Sequence, residues 1–290
     1  MKDLKSKPMT EAEAAILEER LEAFDCAAVP PLPGAEEEEL VLKIVDENGT
    51  ILAGCSAWID RWKCMDLSHL WVDERYRNRG MGTALLHAIL REGKAKGCSL
   101  ATVGLFSFQA SAFCEKRGMT VYETTEDCPK GYAHSYLMIR LDAYEPQDAQ
   151  DGETFPIVRG DSADDEFLLQ KFYAYSDSVV PRRHAYLSFD RAITDENGHP
   201  IAGVEAGVTG LDIGYLYLLW TDEPYRRHGL GTKLLREAER AIKAHGGERI
   251  LASAFDWQDV AFFEKQGYEV TGSLSDSPQG HRFFSLQKRL

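Results

Sequence analysis

Apolar and polar positions fall into two successive sets with the same internal order. Near the start, Ile16, Leu17, Leu21 and Phe24 recur at helical spacing behind Thr10 and Glu13, which have the capping-box spacing, so an amphipathic helix is predicted there. Leu168, Phe172 and Tyr175 repeat the pattern behind Ser162 and Asp165. In each set a hairpin follows: β-rich runs such as LVLKIV and ILAGCSAW flank Asn48-Gly49, and Asn197-Gly198 holds the same place further on, both residue types being tolerant of positive φ. A further strand, DLSHLWV or GYLYLLW, runs into a glycine-containing loop. Helical periodicity then resumes with Leu85, Leu86, Ile89 and Leu90, or with Leu234, Leu235, Ala238 and Ile242, and stops near Gly97 or Gly246. A strand (SLATVGLF or RILASAF), a short helix ending at Gly118 or Gly267, and a last strand complete each set.

The two sets are copies. Gly80 and Gly229 are 149 apart (229 − 80), and the same offset pairs DENG at 46–49 with DENG at 195–198 and FCEKRG at 113–118 with FFEKQG at 262–267. From Asp46 to Leu141 no gap is needed and on the order of a third of the paired residues are identical, a period of domain size rather than of a solenoid. Two domains are therefore expected, 1–143 and 152–290, with the polar stretch DAYEPQDAQDGE at 142–153 as linker. Each copy ends in an apolar strand, YLMIRL or FFSLQKRL, whose edge is expected to need cover. The expectation is an intramolecular pseudo-twofold pair with those strands at or near the shared interface.

Composition narrows the partners. With 33 Lys and Arg against 47 Asp and Glu, the formal charge is −14, which disfavours nucleic acid and anionic membrane surfaces and favours a cationic partner. No apolar run is long enough to span a bilayer and none follows the basic residues at the start, so a cytoplasmic location is expected. The six cysteines (Cys26, Cys55, Cys64, Cys98, Cys114 and Cys128) show no metal-type spacing, so free thiols and no metal are expected.

The loops carry the chemistry. YRNRGMGTALL at 76–86 and YRRHGLGTKLL at 225–235 share Arg-x-x-Gly-x-Gly-Thr between a strand and a helix. A helix start presents unpaired N–H groups and the positive end of its dipole, and glycine lets a phosphate oxygen approach them. Gly80 and Gly82 would allow that approach, Thr83 would add a hydroxyl, and Arg77 and Arg79 would supply charge. Gly229, Gly231, Thr232, Arg226 and His228 stand in the same places. The spacing lacks the Lys-Ser/Thr ending of a nucleotide-triphosphate loop and the third glycine of a dinucleotide fold.

LWVDERYRNRGMGTALL and LWTDEPYRRHGLGTKLL, followed by FSFQASAFCEKRGM and FDWQDVAFFEKQGY, resemble the acetyl-coenzyme A motif and the next helix of the GNAT superfamily of N-acetyltransferases, nearly end to end in both copies. The resemblance implies an α/β (α+β) chain of two GNAT-type domains, each a mixed, mostly antiparallel sheet flanked by helices. It implies acetyl transfer from acetyl-CoA to a primary amine of a small molecule or peptide. The pyrophosphate would lie on the loops, including the backbones of Asn78 and Met81, or Arg227 and Leu230. The pantetheine arm would pair with the preceding strand at Leu70 and Val72, or Leu219 and Thr221, with the N–H groups of Leu70 and Leu219 serving the oxyanion.

Asp66 holds a strand position where the family often has its base, whereas the second copy offers Tyr215 and Tyr217. His69 is out of phase with Asp66 on a period-two strand and is expected to be a core or edge residue. The family's usual proton-donating Tyr is replaced by Cys114 and Phe263, leaving Tyr122, Tyr132 and Tyr136, or Tyr268 and His281, as alternatives. Cys114 reads as a small buried thiol. The alternative function is an acetyl-CoA-binding sensor or brace without turnover in one or both copies.

Overall fold

The computed structural model describes residues 4–145 and 155–290; most of the expected linker lies outside the described residues. In chain order the elements are β1 (Lys7–Pro8), α1 (Glu11–Ala28), β2 (Glu38–Val45), β3 (Ile51–Ile59), β4 (Cys64–Val72), α2 (Met81–Ala95), β5 (Leu100–Phe106), α3 (Ser111–Glu115), β6 (Thr120–Thr125) and β7 (His134–Arg140). The series continues with β8 (Ile157–Arg159), α4 (Ser162–Val179), β9 (Leu187–Ser188), β10 (Arg191–Thr194), β11 (Pro200–Val208), β12 (Ile213–Thr221), α5 (Leu230–Ala244), β13 (Arg249–Phe255), α6 (Val260–Lys265), β14 (Glu269–Ser275) and β15 (Arg282–Arg289). Among the described residues the strands form two sheets, ordered β6-β7-β5-β4-β3-β2-β8 and β1-β10-β11-β12-β13-β15-β14, with β9 added against β11. The pairings β4 with β5 and β12 with β13 are parallel, amid antiparallel neighbours.

The compact units do not coincide with the two sequence copies. The N-sheet unit comprises Pro31–Val180 with Ser275–Gly280, and the C-sheet unit comprises Met1–Pro30, Pro181–Leu274 and His281–Leu290. The copies have therefore exchanged their opening segments: β8 and α4 of the second copy complete the N-sheet unit, and β1 and α1 of the first copy complete the C-sheet unit. Each exchanged helix seats a fully buried leucine over a glycine of the sheet beneath it. Leu168 of α4 lies 2.7 Å from where a Cβ on Gly54 would be, and Leu17 of α1 would clash with a Cβ on Gly203. Gly54 and Gly203 are related by the 149-residue offset, so the same notch recurs in both sheets.

Thr10 caps α1 with Glu13 as the capping-box spacing predicts. In α4 the box is formed by Asp161 and Asp164 rather than by Ser162 and Asp165, because the Asp161 carboxylate accepts from the Ala163 and Asp164 N–H groups. The hairpin turns close on the carboxylates of Asp46 and Asp195, with Gly49 and Gly198 taking positive φ.

On its other face each sheet packs the helix that follows its glycine loop. Leu85, Leu86 and Ile89 of α2 join Leu40, Ile44, Ile59 and Leu137 in one core, and Leu234, Leu235 and Ile242 of α5 join Ile193, Val204, Ile250 and Leu286 in the other. The expected exposed last strand is corrected. β7 inserts between β5 and β6, and β15 between β13 and β14, so both are hydrogen-bonded on two sides and need no further cover.

Candidate active site

Each sheet opens beside its glycine loop. The parallel pairing of β4 with β5 ends at Asp66 and Thr102, and that of β12 with β13 ends at Tyr215 and Leu251. Just beyond, the antiparallel register slips by one residue, passing over Ser68 in β4 and Tyr217 in β12, as a bulge does. Alternation then fixes which backbone groups face the opening. The Asp73 N–H donates to the Leu52 carbonyl on the β3 side at 2.9 Å, so His69 and Trp71 also face β3, while Leu70 and Val72 face the gap. The Asp222 N–H donates to the Ile201 carbonyl at 2.9 Å, and by the same count Leu219 and Thr221 face the second gap.

At the end of each gap a helix begins without a side-chain cap. Gly80 and Gly229 precede α2 and α5 at φ 91 and 83, a conformation glycine adopts at no steric cost. Asn78 and Arg227 also lie in the left-handed region, at φ 62 and 63. Gly82 and Gly231 differ from these. A Cβ on Gly82 would meet Phe113 and Val72 at 3.5 Å, and one on Gly231 would meet Phe262 and Thr221 at 3.7 Å, ordinary contacts. The fold itself thus tolerates a Cβ there, and the bare N–H surface is left for a group from outside.

The side chains of Met81 and Leu230 are core, so only their backbones serve the loop. Arg77 and Arg226 are anchored alike, each Nε donating to the gap-facing carbonyl of Val72 (3.2 Å) or Thr221 (2.9 Å). Arg79 lies over the Tyr76 ring. The Thr83 hydroxyl accepts from Arg117 at 2.6 and 3.0 Å, whereas the second copy has Gln266 in the place of Arg117, so the first loop has an additional cation. A pyrophosphate fits both loops: unpaired N–H groups, glycine approach and flanking guanidinium groups converge.

Behind the gap of the N-sheet unit stands Asp66, which accepts from Thr102 at 2.7 Å. Crowding by its surroundings, offset in part by that bond, pushes its carboxyl up to about 6, although the residue keeps a solvent-exposed face that screens the effect. Tyr122 and Tyr136 stand beside one another near it, and burial raises the Tyr122 hydroxyl beyond the working range. His134, against Tyr136, is held down to about 4 by burial and is therefore neutral at pH 7.

The bulge corrects the phase expected for His69. Met65 and Leu67 before it, and Leu70 and Val72 after it, all turn to the core on the α2 side, so His69 shares the opposite face with Asp66. There His69 packs on Phe172 of α4, and its Nδ1 lies 3.0 Å from both Ser56 Oγ and Asp165 Oδ1.

In the C-sheet unit a cleft of about 790 Å³ runs from the loop (Arg226, Gly229, Gly231, Thr232) along Leu216–Thr221 to Leu21, Phe24 and Asp25 of α1. Asp25 Oδ1 accepts from Trp257 (2.8 Å) and Gln258 (2.9 Å). Its counterpart on α4 is Ser176, whose hydroxyl accepts from Gln109 at 3.2 Å. Where Asp66 stands in the N-sheet, this unit has Tyr215, stacked with Tyr217. Its carboxylate is instead Glu205 on β11, absent from the sequence reading. Burial, with Glu18 and Asp190 adding to it, pushes Glu205 up to about 7. The signal was one acid inside the otherwise apolar run PIAGVEAGV.

Cys114 is buried and its thiol is pushed up to about 11. Phe263 packs on Phe262 and Tyr268, Tyr132 on Phe108, and His281 pairs with Asp256 at 2.9 Å. Among the described residues no cluster of His, Cys, Asp and Glu could hold a metal ion, and no helix is long and apolar enough to cross a membrane.

The profile of the Acetyltransferase (GNAT) family matches residues 5–119 and again 153–268. The chain belongs to that family, as a tandem duplication of its domain. A blasticidin-S acetyltransferase from Streptomyces morookaense is 35% identical over 74 residues, a quarter (25%) of this chain and 54% of that protein, so the match spans about half of that relative. Among solved structures, an acetyltransferase from Bacillus cereus ATCC 14579 is 30% identical, with 48% of this chain and 99% of that chain covered at a TM-score of 0.46. The ribosomal-protein-S18-alanine N-acetyltransferase from Escherichia coli is 18% identical, with 41% and 76% covered at a TM-score of 0.32.

Proposed function

We propose that both units bind acetyl-CoA and that the chain transfers its acetyl group to a primary amine of a small molecule or peptide, one carrying positive charge. One observation carries the reading: in each unit an uncapped helix start, a left-handed glycine and an arginine anchored to a gap-facing carbonyl meet at the end of an opened sheet. The loops would hold the pyrophosphate and the gap-facing backbone at Leu70 and Val72, or Leu219 and Thr221, the pantetheine arm. The N–H groups of Leu70 and Leu219 would face the carbonyl oxygen as it becomes an oxyanion.

In the N-sheet unit Asp66 would take the proton from the ammonium. A carboxyl near 6 is mostly ionised at pH 7 and stronger as a base than an ordinary aspartate. The net charge of −14 favours a cationic acceptor. Action in a reducing cytoplasm and pairing of the copies as a pseudo-dimer belong to the same proposal, the latter supported by the exchanged helices. Binding without turnover is the second reading, favoured by the lack of a hydroxyl at Cys114 and Phe263.

Coenzyme thiol release from acetyl-CoA, measured with the full chain across amines of graded charge, tests the proposal. Release that depends on a cationic amine is expected. Coenzyme binding with no release for any amine would leave the sensor reading in its place.

A further inference from the structure

We propose that Glu205 is the general base of the C-sheet unit, reaching the acceptor amine from β11 rather than from the strand that carries Asp66 in the other unit. The inference rests on the acetyl-transfer reading and assigns a residue to it. Val204 and Ala206 turn into the core, so Glu205 turns to the α1 side of the sheet between Gly203 and Gly207. Both glycines are covered, Gly203 by Leu17 and Gly207 by the Tyr186 hydroxyl, and the carboxylate stands between those two covers.

The register places it beside the bulge at which the sheet opens, on the strand next to the one that lines the cleft. Glu205 pairs with Leu218, and the next pair, Ala206 with Leu216, passes over the bulged Tyr217. Leu218 and Tyr217 line the cleft. The buried Glu205 Oε1 has no hydrogen-bond partner in the protein, a state that an ionised carboxylate enters only at a cost. An incoming ammonium, or a water held by it, would supply the missing donor.

The groups that face Glu205 are Glu18 from α1, Asp190 from the turn before β10, whose Oδ1 accepts from the Ala206 N–H, and Tyr186. Tyr217 stands against Tyr186 and, with Tyr215, forms an aromatic wall. Acids and tyrosine rings together suit an aliphatic ammonium. Glu205 takes one proton from it, and the freed lone pair on nitrogen attacks the thioester carbonyl carbon, forming the C–N bond. As the C–S bond breaks, the second nitrogen proton passes to the departing sulfur, giving amide and coenzyme thiol, and Glu205 returns its proton to solvent. Glu18, lent by the first copy's helix, is a positioning residue: its negative charge keeps Glu205 basic.

The test uses the full chain with the N-sheet unit silenced by Gly82→Val and Asp66→Asn. In that background Glu205→Gln should lower thiol release by about a hundredfold or more while coenzyme affinity, read by calorimetry, stays unchanged. Glu18→Gln should move the acidic limb of the kcat/KM profile to lower pH. Carbon-13 carboxyl NMR, with the Glu205 signal identified by its loss in Glu205→Gln, should show a titration near 7 that moves down in Glu18→Gln. Undiminished release in Glu205→Gln, or a limb unmoved by Glu18→Gln, overturns the assignment and leaves acetyl transfer standing. Bound coenzyme with no release for any amine in the silenced chain overturns the assignment, and the same result in the parent chain overturns the acetyl-transfer reading as well.

Discussion

The N-sheet and C-sheet units share the half that carries the glycine loop and differ in the half across the gap from it. The loops, the left-handed glycines, the anchored arginines and the bulges correspond residue for residue at the 149-residue offset. Across the gap, Asp66, Tyr122, His134 and Tyr136 in one unit become Tyr215, Thr271, Phe283 and Ser285 in the other, while Ser56 becomes Glu205. Duplicated loop geometry with divergent surroundings is what this pattern teaches: the proposed phosphate cradle would constrain backbone geometry, whereas a proton acceptor could be supplied from either of two adjacent strands.

The sharpest way to break the comparison is at Asp66. Asp66→Asn should lower turnover by the N-sheet unit by about a hundredfold or more without changing coenzyme affinity. In the parent, activity should fall as pH drops through about 6, because protonation removes the base, and that limb should vanish in the variant. Rates for each unit are read with the opposite loop silenced; an unchanged limb would place the base elsewhere.

A second pair of changes tests whether the exchanged helices are seated alike. Gly54→Ala and Gly203→Ala each put a methyl group against a buried leucine and should destabilise the protein by about 1–3 kcal/mol, measured by denaturant unfolding. Neutral effects at both would show that the notches do not hold α4 and α1. The smallest expected effect is at the caps: Thr10→Ala and Asp161→Ala should each cost about 1 kcal/mol, whereas Ser162→Ala should cost little because Ser162 is the first helical residue rather than the cap.

What the sequence made legible was local. The loops could be read because glycine and arginine spacing encodes a turn and a helix start within ten residues, and the duplication doubled that signal. The exchange of opening helices could not, because Leu17 on α1 and Leu168 on α4 present the same apolar stripe whichever sheet lies beneath. The phase of His69 relative to Asp66 is not legible because one bulged residue, Ser68, reverses a period-two count, and nothing in DLSHLWV marks where the extra residue falls. Glu205 is legible only as an acid within the apolar run PIAGVEAGV, because it lies one strand away from the strand that leads into the loop. The position of β7 and β15 inside their sheets is likewise a matter of strand order, on which their apolar composition is silent.

The central claim is two coenzyme sites in one chain, and calorimetric titration of the intact protein with acetyl-CoA tests it most directly. The account predicts two equivalents bound per chain, falling to one in Gly82→Val and to one in Gly231→Val, with an unchanged denaturant midpoint required of each variant because the room shown at both positions is that of a Cβ alone. No binding by the intact chain, or two equivalents retained in both variants, would contradict it.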